Sequence, residues 1–216
     1  TNAEFAAFLQ GTKYVPSDAI NFLKHWGGAT LPPAMAGQPV VFVSLADARA
    51  YCEWRGMRLP NEWEWQYAAR GNDSRRWPWG NESAAGCMPS SYHGNADPPL
   101  PNVTAFDGAG CSSPFGVEMM VGTVWQWTNE IKGLHTRAAL LKGGSSYFRV
   151  AVPLDPPVGG RTNRSVYYFS NCASEEWMGY NAHKTVIPTE CHGELLLMNS
   201  GYERAATIGV RCAKST

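Results

Sequence analysis

The sequence predicts an α+β fold with little regular secondary structure, in which two or three short helices are followed by short strands and long loops. Three observations carry that expectation. The 22 Gly and 15 Pro make up 37 of the 216 residues, a density of turn formers that favours short elements and excludes a helical bundle. Helical periodicity is confined to the chain before Gly71. Beyond it, apolar residues come in brief runs bounded by turn residues, which is the pattern of strands.

The length fits a single domain over 1–216, large enough to bury most of the apolar surface of a core. A first helix is expected over 3–9. Ser44-Leu45-Ala46-Asp47 then forms a capping box, in which hydroxyl and carboxylate each satisfy a backbone N–H of the other residue. Ala48, Tyr51 and Cys52 follow at i, i+3 and i+4, predicting a helix over 44–55 that stops at Gly56. Asn61-Glu62-Trp63-Glu64 repeats the device, and Gly71 ends that helix after Ala69-Arg70. The runs 122–127, 138–141 and 208–212 read as strands. The irregular stretches 72–114 and 149–192 exceed the usual loop length of compact domains, and such loops are functional or held by cross-links.

Formal charge sums to zero, with a pI near 6.9, and no Lys/Arg run is present, which excludes nucleic acid as a partner. No apolar run reaches the roughly 18 residues a membrane span needs, so none is expected. Residues 1–5 lack the pattern of a signal peptide, so the chain reads as a mature or trimmed product. Six cysteines without CxxC or CxxH spacing favour disulfides over zinc. Four Asn-x-Ser/Thr sequons, at Asn72, Asn81, Asn102 and Asn163, lie in Gly/Pro/Ser-rich surroundings and mark candidate N-glycosylation sites on surface loops. Together these features predict a secreted, extracellular or particle-surface protein.

Five blocks in order carry a resemblance to a known family. They are Val41-Phe42-Val43-Ser44 through Asp47-Ala48-Arg49-Ala50-Tyr51-Cys52 to Arg58-Leu59-Pro60; Glu64-Trp65-Gln66-Tyr67-Ala68-Ala69-Arg70-Gly71; Trp77-Pro78-Trp79-Gly80-Asn81; Met120-Val121-Gly122-Thr123-Val124-Trp125-Gln126-Trp127-Thr128; and Lys142-Gly143-Gly144-Ser145 with Ile208-Gly209-Val210-Arg211-Cys212-Ala213. The chain resembles the formylglycine-generating-enzyme, or sulfatase-modifying-factor, family. That resemblance implies a variant of the C-type lectin fold with a small twisted antiparallel sheet, two or three short helices and long loops. It also implies that the family's first strands precede Thr1-Asn2, so that another segment or chain supplies them. Trp54, Trp65, Trp125 and Trp127 are expected in the core because they lie inside the family blocks.

The resemblance pairs Cys52 with Cys212. Four cysteines then remain, with three connectivities open; Cys87–Cys111 with Cys172–Cys191 is the most economical, each pair closing one long irregular stretch.

Formylglycine-generating enzymes bind copper through two cysteines just after the Gly-Gly-Ser block, since a thiolate pair suits Cu(I). The matching positions here are Phe148 and Pro153, neither a metal ligand, and no cofactor is expected. A family calcium site falls on Met119 and Gln126 with the backbone of Gly122 and Val124, which leaves at most weak calcium binding because hard cations need charged oxygens. The histidines His25, His93, His135, His183 and His192 include no HxH or HxxxH pair, although His183 and His192 with His93 or His135 would offer three ligands. No Ser or Cys occupies a nucleophile-elbow motif.

The resemblance gathers Tyr147, Phe148, Arg149, Arg161, Arg164, Tyr167, Tyr168 and Trp177 near the family's groove, an aromatic cleft rimmed by arginines. The expected function is therefore a non-catalytic recognition or assembly module that binds a protein, peptide or glycan through 149–192. The alternative is an oxygen-dependent metallo-oxidoreductase, formylglycine-generating or sulfoxide-synthase-like, with a relocated metal site.

Overall fold

The computed structural model describes residues 1–81, 87, 92–93, 100–105, 107–132, 138–144, 147–148, 152–158, 161–164, 193–196 and 204–215. Three helices occupy the N-terminal third: α1 (Asn2–Thr12), α2 (Leu45–Trp54) and α3 (Glu62–Arg70). Each starts with a reciprocal capping box, made by Thr1 with Glu4, Ser44 with Asp47, and Asn61 with Glu64. Helix α1 runs further than 3–9 at both ends, because Thr1 caps it and the turn is closed only at Lys13, whose N–H donates to the Leu9 carbonyl.

The strands are β1 (Tyr92–His93), β2 (Trp125–Lys132), β3 (Ala138–Lys142), β4 (Tyr147–Phe148), β5 (Val152–Val158), β6 (Arg161–Arg164), β7 (Gly193–Leu196) and β8 (Ile208–Gly209). The principal sheet has the order β7-β3-β2-β8. Its β3–β2 and β3–β7 pairs are antiparallel, but β8 runs parallel to β2, so the sheet is mixed rather than wholly antiparallel. Two two-stranded ribbons, parallel β1–β4 and antiparallel β5–β6, complete the described pairing.

Two predicted strands are displaced. Residues 122–124 turn rather than extend, with Gly122 at φ 85°, and the strand begins only at Trp125. The strand expected over 208–212 is cut to Ile208–Gly209, because the chain then leaves β2 for Arg58, with which Ala213 exchanges two backbone hydrogen bonds of 2.7 and 2.9 Å. A Cβ on Gly209 would lie 2.6 Å from the Val40 carbonyl oxygen, so the close passage of this segment past Val40 requires glycine.

The core sits between the helices and β2–β3. Phe5, Phe8, Tyr51, Cys52, Trp127 and Leu141 are buried together, and a smaller cluster joins Trp65 and Ala69 of α3 to Met120 and Val121. Trp65, Trp125 and Trp127 are core residues, as expected. Trp54 is not: it is 42% exposed, because it ends α2 and lays its ring over the edge formed by Phe8 and Tyr51.

Two buried polar hubs tie distant segments to this core. Asn2, fully buried, donates through Nδ2 to the carbonyls of Met35, Gln38 and Pro39, and its Oδ1 accepts from Trp26 Nε1 at 2.9 Å and from His25 Nε2 at 2.8 Å. The second hub is Asp47 with Arg204. Arg204 Nε donates to Asp47 Oδ2 at 2.7 Å and Nη2 to Oδ1 at 3.2 Å, while Nη1 reaches Asp18 and the Ile20 carbonyl at 3.0 Å each. Asp47 also accepts from the Ser44 N–H and the Tyr14 hydroxyl.

The disulfides Cys52–Cys212 and Cys87–Cys111 are both formed. Cys172 and Cys191 lie outside the described residues. Asn72, Asn81 and Asn102 are exposed, and Asn163 lies in β6.

His25 predicts a pH dependence. With Nε2 donating to Asn2, its Nδ1 is buried without a partner, and burial lowers its pKa from 6.5 to about 4. The unfolded chain therefore takes up this proton first as pH falls. Stability should decline as pH drops from the ordinary histidine range towards about 4, in urea titrations across that interval. A His25→Gln variant, which keeps a donor for Asn2, should flatten that part of the profile, and the His25 C2–H NMR resonance should titrate near pH 4.

Candidate functional site

The segment 117–126 and the end of β3 meet at a buried polar knot beside the smaller core cluster. Gln126, 3% exposed, is at its centre. Its Oε1 accepts from Trp65 Nε1 and Arg211 Nε, both at 2.9 Å, and its Nε2 donates to the carbonyls of Met119 and Met120, both at 3.2 Å. The amide thus uses both acceptor and both donor positions. Arg211 continues the knot through Nη2 to the Glu118 carbonyl at 2.7 Å, and Lys142 holds its ammonium over the Trp65 ring. Gly143, at φ 102°, closes the knot from β3; a Cβ there would come within 2.7 Å of the Met120 carbonyl oxygen, so no larger residue fits.

Burial dominates the electrostatics. It pulls the Arg211 pKa down to about 10 against the favourable charge of Glu118, and it pushes the Glu118 carboxyl up, reinforced by Asp107 and opposed by Arg211. This is the segment on which the family's calcium site falls. Its one matching side-chain oxygen, Gln126 Oε1, is uncharged and engaged by two donors, the Met119 carbonyl is taken by the same amide, and the nearest charged group contacting them is a guanidinium. The matching positions Met119 and Gln126 thus offer no charged or unengaged side-chain oxygen to a hard divalent cation, while Glu118 Oε2 beside them is buried without a hydrogen-bond partner. Among the described residues no group of three His, Cys, Asp or Glu is placed to hold a metal ion.

The positions that match the copper cysteines fall on the two ribbons. Phe148 in β4 is the register partner of His93 in β1, with Tyr147 beside it opposite Tyr92. Pro153 in β5 is opposite Asn163 in β6, and Arg164 and Arg161 of β6 pair with Val152 and Val158. One of the two positions thus lies on each ribbon. Arg149, Tyr167, Tyr168 and Trp177 lie outside the described residues, as do His135, His183 and His192. The Gln126–Arg211–Trp65 knot was not anticipated as a unit, although all three residues lie in the family blocks; what links them is a sequence separation of 61 and 85 residues that no local pattern reveals.

Fold, blocks and knot together define a domain of the sulfatase-modifying type, and comparison with known proteins agrees. The sulfatase-modifying factor enzyme 1-like domain matches residues 1–181, and the chain belongs to that family. It is 40% identical over 100 residues to the formylglycine-generating enzyme of Mycobacterium tuberculosis (strain ATCC 25618 / H37Rv), across 43% of this chain and 33% of that one. It is 36% identical over 126 residues to the inactive C-alpha-formylglycine-generating enzyme 2 of Bos taurus, across 50% of this chain and 38% of that one. The chain thus spans between a third and two fifths of the length of these two relatives. Among solved structures, CarF aligns over 96% of this chain and 79% of its own, with a TM-score of 0.49 and 17% identity.

Proposed function

We propose that this chain is a non-catalytic recognition or assembly module on the formylglycine-generating scaffold, with no cofactor, exposed outside the cell or on a particle surface. The observation that carries the reading is the pair Phe148 and Pro153, which stand where the family places its copper thiolates and offer no ligand atom. Similarity to a relative named as inactive supports it, and the two disulfides suit an oxidising compartment. The partner surface is assigned to 149–192, of which β5 and β6 are described, and the ligand is a protein, peptide or glycan.

The test combines elemental analysis of the purified protein with an assay of a cysteine-bearing sulfatase peptide. Substoichiometric copper and iron, with no conversion of the peptide, is the expected result. Stoichiometric metal, or measurable formylglycine, would overturn the reading in favour of a metallo-oxidoreductase with a relocated site.

A further inference from the structure

The turn that leads into β2 is shaped like a cradle for a cation. The backbone carbonyls of three successive residues, Glu118, Met119 and Met120, all face the same two side chains. Arg211 Nη2 donates to Glu118 at 2.7 Å and to Met119 at 3.4 Å, and Gln126 Nε2 donates to Met119 and Met120 at 3.2 Å each. Gathering three neighbouring carbonyls sets their negative ends side by side, which is repulsive unless a positive group stands among them. The chain also adopts a left-handed residue there, Met119 at φ 52°, a conformation unfavourable for a residue with a Cβ.

The turn is clamped and cannot open to relieve this crowding. The Gly122 N–H donates to the Gly143 carbonyl at 2.8 Å, and the Met120 carbonyl oxygen lies so close to Gly143 that a Cβ there would come within 2.7 Å of it. The carbonyls therefore stay gathered, and their charge has to be answered in place.

A hard divalent cation and a guanidinium answer such a cluster differently. The first takes about six to eight oxygens, several of them charged; the second takes acceptors in the plane of its fork. Arg211 has acceptors of the second kind, two carbonyls on Nη2 and Gln126 Oε1 on Nε at 2.9 Å. Each oxygen that a metal would share is thereby engaged by a side-chain donor, and Gln126 Oε1 accepts from Trp65 as well. Glu118 Oε2, buried without a hydrogen-bond partner, is the carboxylate oxygen left over. Burial and Asp107 work against ionisation of Glu118, and the charge that works for it is that of Arg211.

We propose that Arg211 is the built-in cation of this turn: its guanidinium, with the Gln126 amide beside it, stands in the place of a dissolved divalent ion, so that the junction of 118–122 with β2 and β3 holds without calcium. The proposal does not depend on what 149–192 binds or on the copper positions.

Thermal melts in millimolar calcium and in EDTA test it. The parent protein should melt at the same temperature in both, and Arg211→Ala should melt lower by about 5 °C or more in both, the scale of losing hydrogen bonds from a charged donor in a domain of this size. Loss of any structural arginine would do that, so the deciding variant combines Arg211→Ala with Gln126→Glu, which empties the cradle and adds a carboxylate to it. In EDTA it should be less stable than Arg211→Ala alone, and calcium should restore stability to it and not to Arg211→Ala alone. Terbium should then luminesce on tryptophan excitation in the double variant, because the Trp65 indole contacts position 126. Calcium that raises the melting temperature of the parent, or terbium emission from the parent that Glu118→Gln removes, overturns the proposal, since a dissolved ion would already be held there. A double variant whose stability, or lack of a fold, is the same with and without calcium overturns it as well.

Discussion

Replacing Asp47 by alanine should cost about 3–5 kcal/mol of folding stability, the scale for removing one partner of a buried ion pair. Both side chains are withdrawn from water, Asp47 at 0% and Arg204 at 1% exposure, so the variant would leave a guanidinium enclosed with its bidentate partner gone. Asp18, which is 35% exposed, would retain part of the charge compensation. The Tyr14 hydroxyl and the Ser44 N–H would lose their acceptor as well, the latter being one half of the capping box of α2. Urea unfolding monitored by tryptophan fluorescence measures this loss. Asp47→Asn keeps a cap acceptor but loses the charge, and should fall between the parent and Asp47→Ala. A loss below about 1 kcal/mol for Asp47→Ala would show that the hub contributes no more than a surface pair does.

The paired substitution of Cys52 and Cys212 by serine should destabilise the protein by about 5 kcal/mol on the chain-entropy account, because the bond closes a loop of 160 residues. Cys52 is fully buried in the main core cluster, so the exchange also places a hydroxyl in an apolar interior, at about 1–3 kcal/mol when unpartnered. Cys52→Ala with Cys212→Ala separates the two effects, since alanine keeps the site apolar. The difference between the alanine and serine pairs in denaturant unfolding gives the hydroxyl penalty, and the alanine pair against the parent gives the cross-link. Equal stability of the alanine pair and the parent would mean that the cross-link contributes nothing to the native state. Removing Cys87–Cys111, which spans 24 residues, should cost less, about 3 kcal/mol on the same account.

Helices α2 and α3 were legible because the signals that start and stop them are local: a capping box three residues wide at one end and a glycine at the other. The expected span 3–9 falls short of α1 because the signal that starts it, Thr1 capping with Glu4, sits on the first residue of the sequence. Strand bounds failed where tertiary contacts decide them. The run 122–127 reads as a short strand bounded by turn residues, yet the Gln126 amide meets both Met119 and Met120 carbonyls, and the chain turns over 119–122 before β2 begins. Trp54 lies within a family block, but its place at the end of α2 leaves one side of the ring in water. The Asp47–Arg204 pair was invisible in principle from local pattern, since the two residues are separated by 157 positions and Arg204 belongs to no motif. The positions that match the copper cysteines, Phe148 and Pro153, can be named by counting from the Gly-Gly-Ser block, whereas their distribution over two ribbons depends on pairings with His93 and Asn163 that counting does not supply.

The path of residues 204–213 has a consequence for how the protein is made. This short segment supplies the ion pair to Asp47, the strand beside β2, the bridge to Val41, the disulfide to Cys52 and the backbone pairing with Arg58. Every one of these contacts reaches a residue synthesised much earlier. At ribosomal rates of about 5–20 residues per second, roughly 8–30 s separate Asp47 from Arg204. Throughout that interval the nascent N-terminal part carries an unpaired Asp47, a free Cys52 thiol and an open edge on β2. The helices can form as they emerge, each held by its own cap, but these contacts close only after residues 204–213 arrive. The Cys52 thiol therefore stays unpaired with Cys212 until residue 212 has been made, and the Cys52–Cys212 bond can close only after that point.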